Sequence, residues 1–449
     1  MTDKPATVEQ TGIEHIPLEE RHGSPGRVFT LWFAANLTVA DYVIGVLCVQ
    51  AFGLTVAQSI PVLLLGNLLG GALLGLSAAM GPRLGFPQML SSRSSFGRRG
   101  NYFFGGLNWI STVGWFTVNT ILGVEALQAV FPGVNFYATA TGLVALQVVV
   151  AVYGHDFIHL FEKVMSLVLG LLFLGVFALT LPKLGSAFSF MPPGGLAGVP
   201  ALGPVGVVLA ASFSYLMSWS PYASDYSRYL PTDASRKRVA LFALAGGTAA
   251  SFAIEVIGAL VGSLTPVAGF FTGLYNFAGS FGPLAIVAII LGAMAANALN
   301  IYTNALSALV LDIRAKRWLM VVVGGLVGLA LSFAGQANFV LNYQDFLFLL
   351  DYWITPWLGI VLVDYFVAKR TTVESSANPP PWDWRAIAAY AVAVLVSVPF
   401  MVPLNPINGQ PLGSPFGALA ATFGGADFSY FISFGVAVVL MYVLRRKPT

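Results

Sequence analysis

Residues 31–45 read LWFAANLTVADYVIG. They lie in an apolar run from Val28 to Ala51, long enough at ~1.5 Å per residue to cross a ~30 Å hydrocarbon layer as a helix. A carboxylate, Asp41, sits near its middle, with Asn36 and Thr38 just before it. An ionisable group at that depth costs at least a few kcal/mol unless it faces a partner, a ligand or a wet cavity. Asn36, Thr38 and Gly45 also weaken the helix, so this span is expected to open its backbone. Exposed carbonyls and half-helix ends then become available to small ligands and cations. The alternative is an Asp41 that hydrogen-bonds a neighbouring helix.

Composition agrees with a membrane chain. Of 449 residues, 57% are hydrophobic and 9% charged, and the mean hydropathy is +0.79, outside the range of soluble domains. The 48 glycines suit close helix packing in lipid. One cysteine, Cys48, leaves no internal disulfide. A net charge of +3 is too small to suggest nucleic acid as a partner.

Hydropathy predicts twelve spans: Val28–Ala51, Ala57–Met80, Tyr102–Phe131, Phe136–Tyr153, His159–Leu181, Gly203–Tyr222, Lys237–Val261, Gly282–Leu311, Arg317–Gly335, Asp345–Phe366, Arg385–Val402 and Phe428–Leu444. The sixth is irregular at Ser218–Pro221, because proline removes a backbone donor. Residues Thr265–Phe281 are too short and glycine-rich to cross, and are expected to form a re-entrant or surface helix. Residues 1–27 carry no signal-peptide pattern and read as a cytoplasmic tail. With both termini inside, 21 of the 22 lysines and arginines fall on the inner side and Lys183 alone outside. That bias sets an even number of spans in the cytoplasmic membrane.

Polar residues within the spans gather in three places. Trp115 and Asn119 lie a turn apart on the third span, an arrangement suited to stacking a flat heterocycle and pairing its edge. A packed core tryptophan with an interhelical amide fits equally. On the eighth span Asn297, Asn300, Asn304 and Ser307 form one polar stripe, either a cavity lining or interhelical glue. The sixth span ends in Tyr215, Ser218, Trp219 and Tyr222, followed by Asp225 and Arg228, which are expected to pair at the inner mouth. Trp219 is a second stacking candidate or an interfacial aromatic. Glu125, Glu255 and Asp351 are expected nearer the outer ends, within reach of water. His155 and His159 have the spacing of metal ligands but no third ligand in the sequence nearby, so no metal site is expected. Phosphate loops, cysteine clusters and nucleophile elbows are absent from the sequence, which disfavours ATP-driven transport and enzymatic chemistry.

Six motifs together carry a family resemblance: GIEHIPLEERHG (12–23), GNLLGG (66–71), SSRSSFGRRGN (91–101), TVGWFTVN (112–119), SPYASDYSRYLP (220–231) and NALNIYTNALS (297–307). Over about its first 370 residues the chain resembles the nucleobase:cation symporters of the purine/cytosine permease family. The resemblance implies an all-helical, twelve-helix protein with a LeuT-type core of two inverted five-helix repeats. These would run over 28–181 and 203–366, with a cytoplasmic linker at 367–384 and two further helices within 385–449. The first and sixth helices would be broken at the midplane, and the third and eighth would line the site.

Carried over by residue, Trp115 matches the family's ring-stacking tryptophan and Asn119 the polar position after it. Asn36 and Val39 match the carbonyl positions of sodium-coupled members. Their eighth-helix partners match Asn297, Asn300 and Ile301, but an amide and an aliphatic stand at the last two, where hydroxyls are usual. A gapless match puts Leu216, rather than Trp219, at the sixth-helix stacking position. The expectation is a monomeric symporter of a purine or pyrimidine base needing no cofactor. Trp115, Trp219, Asn119, Asn300, Asn304 and Asp41 would hold substrate, with Asp41 favouring a proton over sodium. Transport of hydantoins, allantoin or vitamin precursors, and ligand reception without transport, are the alternatives.

Overall fold

The computed structural model describes residues 8–192, 202–266, 268–403 and 412–445, the side chains of 338–342, 344, 345 and 348 excepted. Lys4, Arg446 and Lys447, counted above in the charge bias, lie outside the described residues.

The first span is broken where residues 31–45 predicted. Helix α1 (Gly26–Asn36) stops, Leu37 and Thr38 leave the helical path, and α2 (Val39–Gln50) restarts at an angle of 54°. Thr38 takes an extended backbone and its Oγ1 caps α2 by accepting from the Asp41 N–H at 3.3 Å, one of the orphan donors at a helix start. Asn36 ends α1 by turning its Nδ2 back onto the Trp32 carbonyl at 2.6 Å.

The other elements follow the hydropathy. They are α3 (Val56–Ala78), α4 (Gly100–Val130), α5 (Phe136–Tyr153), α6 (His155–Thr180) and α7 (Leu202–Met217). The sixth span breaks after Met217: a tight turn at Ser220–Tyr222 leads into the short α8 (Ala223–Ser227). Next come α9 (Arg236–Leu264), the short α10 (Phe270–Ala278) in the glycine-rich link, α11 (Gly282–Val310), α12 (Arg317–Gly335) and α13 (Phe339–Leu362). Last are α14 (Trp384–Ser397) and α15 (Ser429–Arg445). Among the described residues there is no strand.

Among the described residues, nine helical stretches are long and apolar enough to cross a membrane, and the bent α1–α2 pair makes a tenth. The two C-terminal helices have 14 and 17 residues, spanning roughly 21 and 26 Å. With the turn that follows it the first extends to Phe400, and these two shorter apolar helices, Trp384–Phe400 and Ser429–Arg445, stand where the eleventh and twelfth spans were expected. Leu160, Leu167, Leu171 and Leu174 line one face of α6 at 45–65% exposure, an apolar stripe suited to lipid.

Two close approaches position the interior. Gly292 of α11 lies on the break itself, since a Cβ there would sit 2.3 Å from the Leu37 carbonyl oxygen. Gly45 of α2 meets the backbone of Glu255 on α9 in the same way, at 1.9 Å. Any side chain at either position would push the helices apart. The α4–α11 pair makes the most extensive helix contact among the described residues, and the central residues lie between these two helices and the breaks.

Candidate functional site

Trp115 is buried on α4, and its ring is bounded edge-on by three aromatics. Tyr215 of α7 lies at 5.1 Å, Phe346 of α13 at 5.2 Å and Tyr343 of α13 at 6.2 Å between centroids. Tyr215 also joins the two breaks, its hydroxyl bonding Thr38 Oγ1 at 2.5 Å. Neither sixth-span candidate meets Trp115 in this way. Leu216 packs against Gly71 of α3 and Gly247 of α9. Trp219 donates from Nε1 to Asn36 Oδ1 at 2.9 Å and lies edge-on to Trp32. Tyr215 was visible in sequence only as one polar aromatic among several, because tertiary packing decides which face of α7 points inward.

The asparagine stripe of α11 divides. Asn119 Nδ2 donates to Asn297 Oδ1 at 3.2 Å, and Asn300 Nδ2 reaches the same oxygen at 3.3 Å. Asn297 in turn donates to the Phe116 carbonyl at 3.0 Å, and the Tyr222 hydroxyl donates to Asn300 Oδ1 at 3.2 Å. Lower down, Asn304 donates to the Trp109 carbonyl (2.9 Å) and Thr112 Oγ1 (3.0 Å), and Ser307 accepts from Asn108 (2.9 Å). The upper half is therefore a carboxamide cluster beside Trp115, and the lower half ties α11 to α4. Ile301 packs apolar against Gly324.

Asp41 is fully buried in the first turn of α2. Glu255 is fully buried too, which corrects the expectation that water reaches it. The Gly45 contact brings α9 against α2, so that Glu255 faces Asp41 closely enough for the two charges to act on each other. Asn67 of α3 donates to Glu255 Oε2. Asp351 is likewise buried rather than wet, beside Asp427 and Tyr430. Glu125 is only partly buried.

Among the described residues, several buried polar atoms near the breaks have no hydrogen-bond partner: Trp115 Nε1, Asn119 Oδ1 and Glu255 Oε1. Each such group costs about 1–3 kcal/mol, and buried polar groups are otherwise almost always paired. Other unpartnered atoms lie elsewhere, at Glu162, Asp351 and Trp357 among others, but those of Trp115 and Asn119 stand beside the carboxamide cluster, where a polar, flat ligand could pair with them.

At the end bearing the basic residues, one pairing differs from expectation. Arg228 takes Glu9 as its ion partner at 3.6 Å, whereas Asp225 is held by the Gln88 N–H (2.9 Å) and the Thr303 hydroxyl (2.8 Å). Tertiary folding offers Asp225 these neutral donors and carries Arg228 to the N-terminal segment. His155 lies edge-on to His159 at 4.5 Å between ring centroids and also joins His22 through Asp156, at 3.1 and 2.9 Å. The three ligand-type atoms of His22, His155 and Asp156 lie within 4.8 Å of one another, so a third polar partner is present that sequence spacing did not reveal. His22 lies outside the spans, and the Asp156 carboxylate raises its pKa above the usual 6.5.

Comparison with known proteins places this geometry in a family. Residues 15–432 match the family model described as permease for cytosine/purines, uracil, thiamine, allantoin, a match running well past residue 370. YxlA of Bacillus subtilis (strain 168), provisionally named a purine-cytosine permease, is 31% identical, over 98% of this chain and 96% of its own. Purine-cytosine permease fcyB of Emericella nidulans is 27% identical over 98% and 88%. Among solved structures, the nucleobase-cation-symport-1 family transporter Mhp1, closed with bromovinylhydantoin bound, superposes with a TM-score of 0.78. It is 21% identical, covering 97% of this chain and 94% of Mhp1. The fold is thus the LeuT-type arrangement of that transporter, and the chain belongs to the family of membrane permeases for cytosine and purines, uracil, thiamine and allantoin.

Proposed function

We propose that this chain is a secondary active symporter that imports a purine or pyrimidine base with a proton by alternating access. The observation that carries the reading is the pair of buried groups, Trp115 Nε1 and Asn119 Oδ1, that have no partner among the described residues. A nucleobase presents a flat π-face to the indole and alternating donors and acceptors to the Trp115 N–H and the amides. In this reading Trp115 holds the ring against Tyr215, Asn119 and Asn300 read its edge, and Asp41 carries the coupling proton. Trp219 and Asn304, engaged with Asn36 and with α4, shape the site from outside it.

A sodium ion would draw on carbonyls of Asn36 and Val39 and on Asn297, Asn300 and Ile301. The amide at 300 and the aliphatic chain at 301 offer no hydroxyl, which favours the proton. We place the transport core at 28–366 with repeats 28–181 and 203–366, the linker at 367–384 and the accessory helices within 385–449. The basic bias supports a cytoplasmic-membrane location with both termini inside. The transporter acts as a monomer and needs no cofactor beyond the coupling ion.

The test has two steps. A thermal-shift screen of purified protein against cytosine, adenine, uracil, hydantoin and allantoin identifies the cargo. Uptake into sodium-free proteoliposomes under an imposed pH gradient then reads the coupling, for wild type and Asp41→Asn. The proposal expects gradient-driven accumulation that Asp41→Asn abolishes. Uptake that requires sodium and ignores the pH gradient overturns it, as does an Asp41→Asn variant that still concentrates substrate.

A further inference from the structure

Asp41 does not stand alone. Helices α2 and α9 touch backbone to backbone at two levels: Gly45 against the Glu255 carbonyl, and Gly258 against the Tyr42 carbonyl, where a Cβ would sit 2.2 Å away. Asp41 lies one turn before Gly45, and Ser251 one turn before Glu255. Residues a turn apart share a helix face, so both carboxyls and the Ser251 hydroxyl open into one seam, with Asn67 reaching in from α3. Tyr215 of α7, Tyr343 of α13 and Cys48 of α2 are the other titratable groups facing the pair. Among the described residues, no lysine or arginine is among the groups acting on either carboxyl.

Two ionised carboxylates in a water-poor seam without a cation repel strongly, and paired acids of this kind hold at least one proton between them. The hydrogen-bond pattern says where it resides. Asn67 fills Glu255 Oε2 with an N–H donor, which leaves that oxygen in the acceptor role. Among the described residues Glu255 Oε1 has no hydrogen-bond partner, and Ser251 is the side chain that bonds the Asp41 carboxyl. An O–H on Oε1 directed at Asp41 would satisfy the Glu255 orphan and give the Asp41 carboxylate a second donor beside Ser251.

We propose that Glu255 stays protonated and donates from Oε1 to Asp41, so that it is the positioning residue that lets Asp41 release its proton. In the cycle, a proton from water on the outer side forms an O–H bond on Asp41, and the neutral pair reorients with substrate. On the inner side that bond breaks, the proton passes to water, and the carboxylate left on Asp41 accepts from Glu255. Glu255 neither gains nor loses its own proton. This rests on the proton-coupled reading above and adds a second acid to it.

The test is an infrared pH titration of the purified full-length protein without substrate, following the protonated-carboxyl band from about pH 5 to 8. Subtracting Glu255→Gln should reveal a component present across the whole range, and subtracting Asp41→Asn a component that titrates. Glu255→Met, which removes the donor, should carry the Asp41 component at least one pH unit, or tenfold in proton affinity, further to alkaline, and Glu255→Gln should restore it. In sodium-free proteoliposomes with labelled cytosine, Glu255→Met should lose at least about tenfold of the gradient-driven accumulation while exchange continues, and Glu255→Gln should retain it.

A Glu255 component that titrates in step with Asp41 overturns the proposal. So does a Glu255→Gln variant without gradient-driven accumulation, and that variant decides the matter if Glu255→Met does not fold. Wild-type uptake that depends on sodium alone would instead overturn the proton reading, whatever the infrared result.

Discussion

Replacing Trp115 tests the central site most directly, and the structure separates two contributions. Trp115→Phe keeps an aromatic face among Tyr215, Phe346 and Tyr343 but deletes the indole N–H, which has no partner among the described residues. If that N–H serves the ligand, its loss costs about 0.5–1.5 kcal/mol, or roughly two- to tenfold in affinity. Trp115→Ala also removes the stacking face, worth a further ~1–3 kcal/mol per base, for a total loss of roughly tenfold to a thousandfold. The same truncation breaks three edge-on ring contacts at about 0.5–1.5 kcal/mol each, so the protein's own melting temperature falls in Ala and much less in Phe. The assay is equilibrium binding of labelled cytosine to purified protein, with the ligand-free melting temperature measured alongside. A graded loss from wild type to Phe to Ala is expected. Wild-type affinity in a destabilised Trp115→Ala protein would refute the site, because it would leave Trp115 as core packing alone.

Three further outcomes are expected. Asn119→Ala and Asn300→Ala should change the rank order of accepted bases as well as weaken uptake, since unpaired polar edges are rejected selectively; a competition series with cytosine, adenine and uracil reads this, and an equal loss for all three marks the amides as structural. Asn304→Ala should lower the melting temperature, at about 1 kcal/mol for each of its bonds to Trp109 and Thr112, while the rank order stays as in wild type. Because Asp156 raises the His22 pKa, the stabilisation of the N-terminal segment is complete below 6.5 and is lost as pH rises through the raised value. Hydrogen-exchange protection of residues 15–25, corrected for intrinsic rate, should therefore fall on alkalinisation in wild type and lose that pH dependence in His22→Gln.

Residues 31–45 foretold the break in the first span, and Ser218–Pro221 foretold the break in the sixth, because helix weakening is written in the local run of Asn, Thr, Ser, Gly and Pro. Hydropathy located the spans for the same reason, and Trp115 and Asn119 were legible as neighbours because one helical turn joins them. The contacts between helices were not legible. Tyr215 rather than Trp219 or Leu216 meets Trp115, since the packing of α7 turns Tyr215 toward it and Leu216 toward α3 and α9. The asparagine stripe is continuous in sequence but divides at Asn304, because the upper half meets a cluster of amides and the lower half a helix backbone. Glu255 reads as a peripheral acid 214 residues from Asp41 until Gly45 and Gly258 let two backbones touch. Local sequence thus determined where this chain is helical, where it breaks and that it lies in a membrane. Tertiary structure decided which polar groups meet, because that depends on ångström-scale approaches between helices distant in sequence.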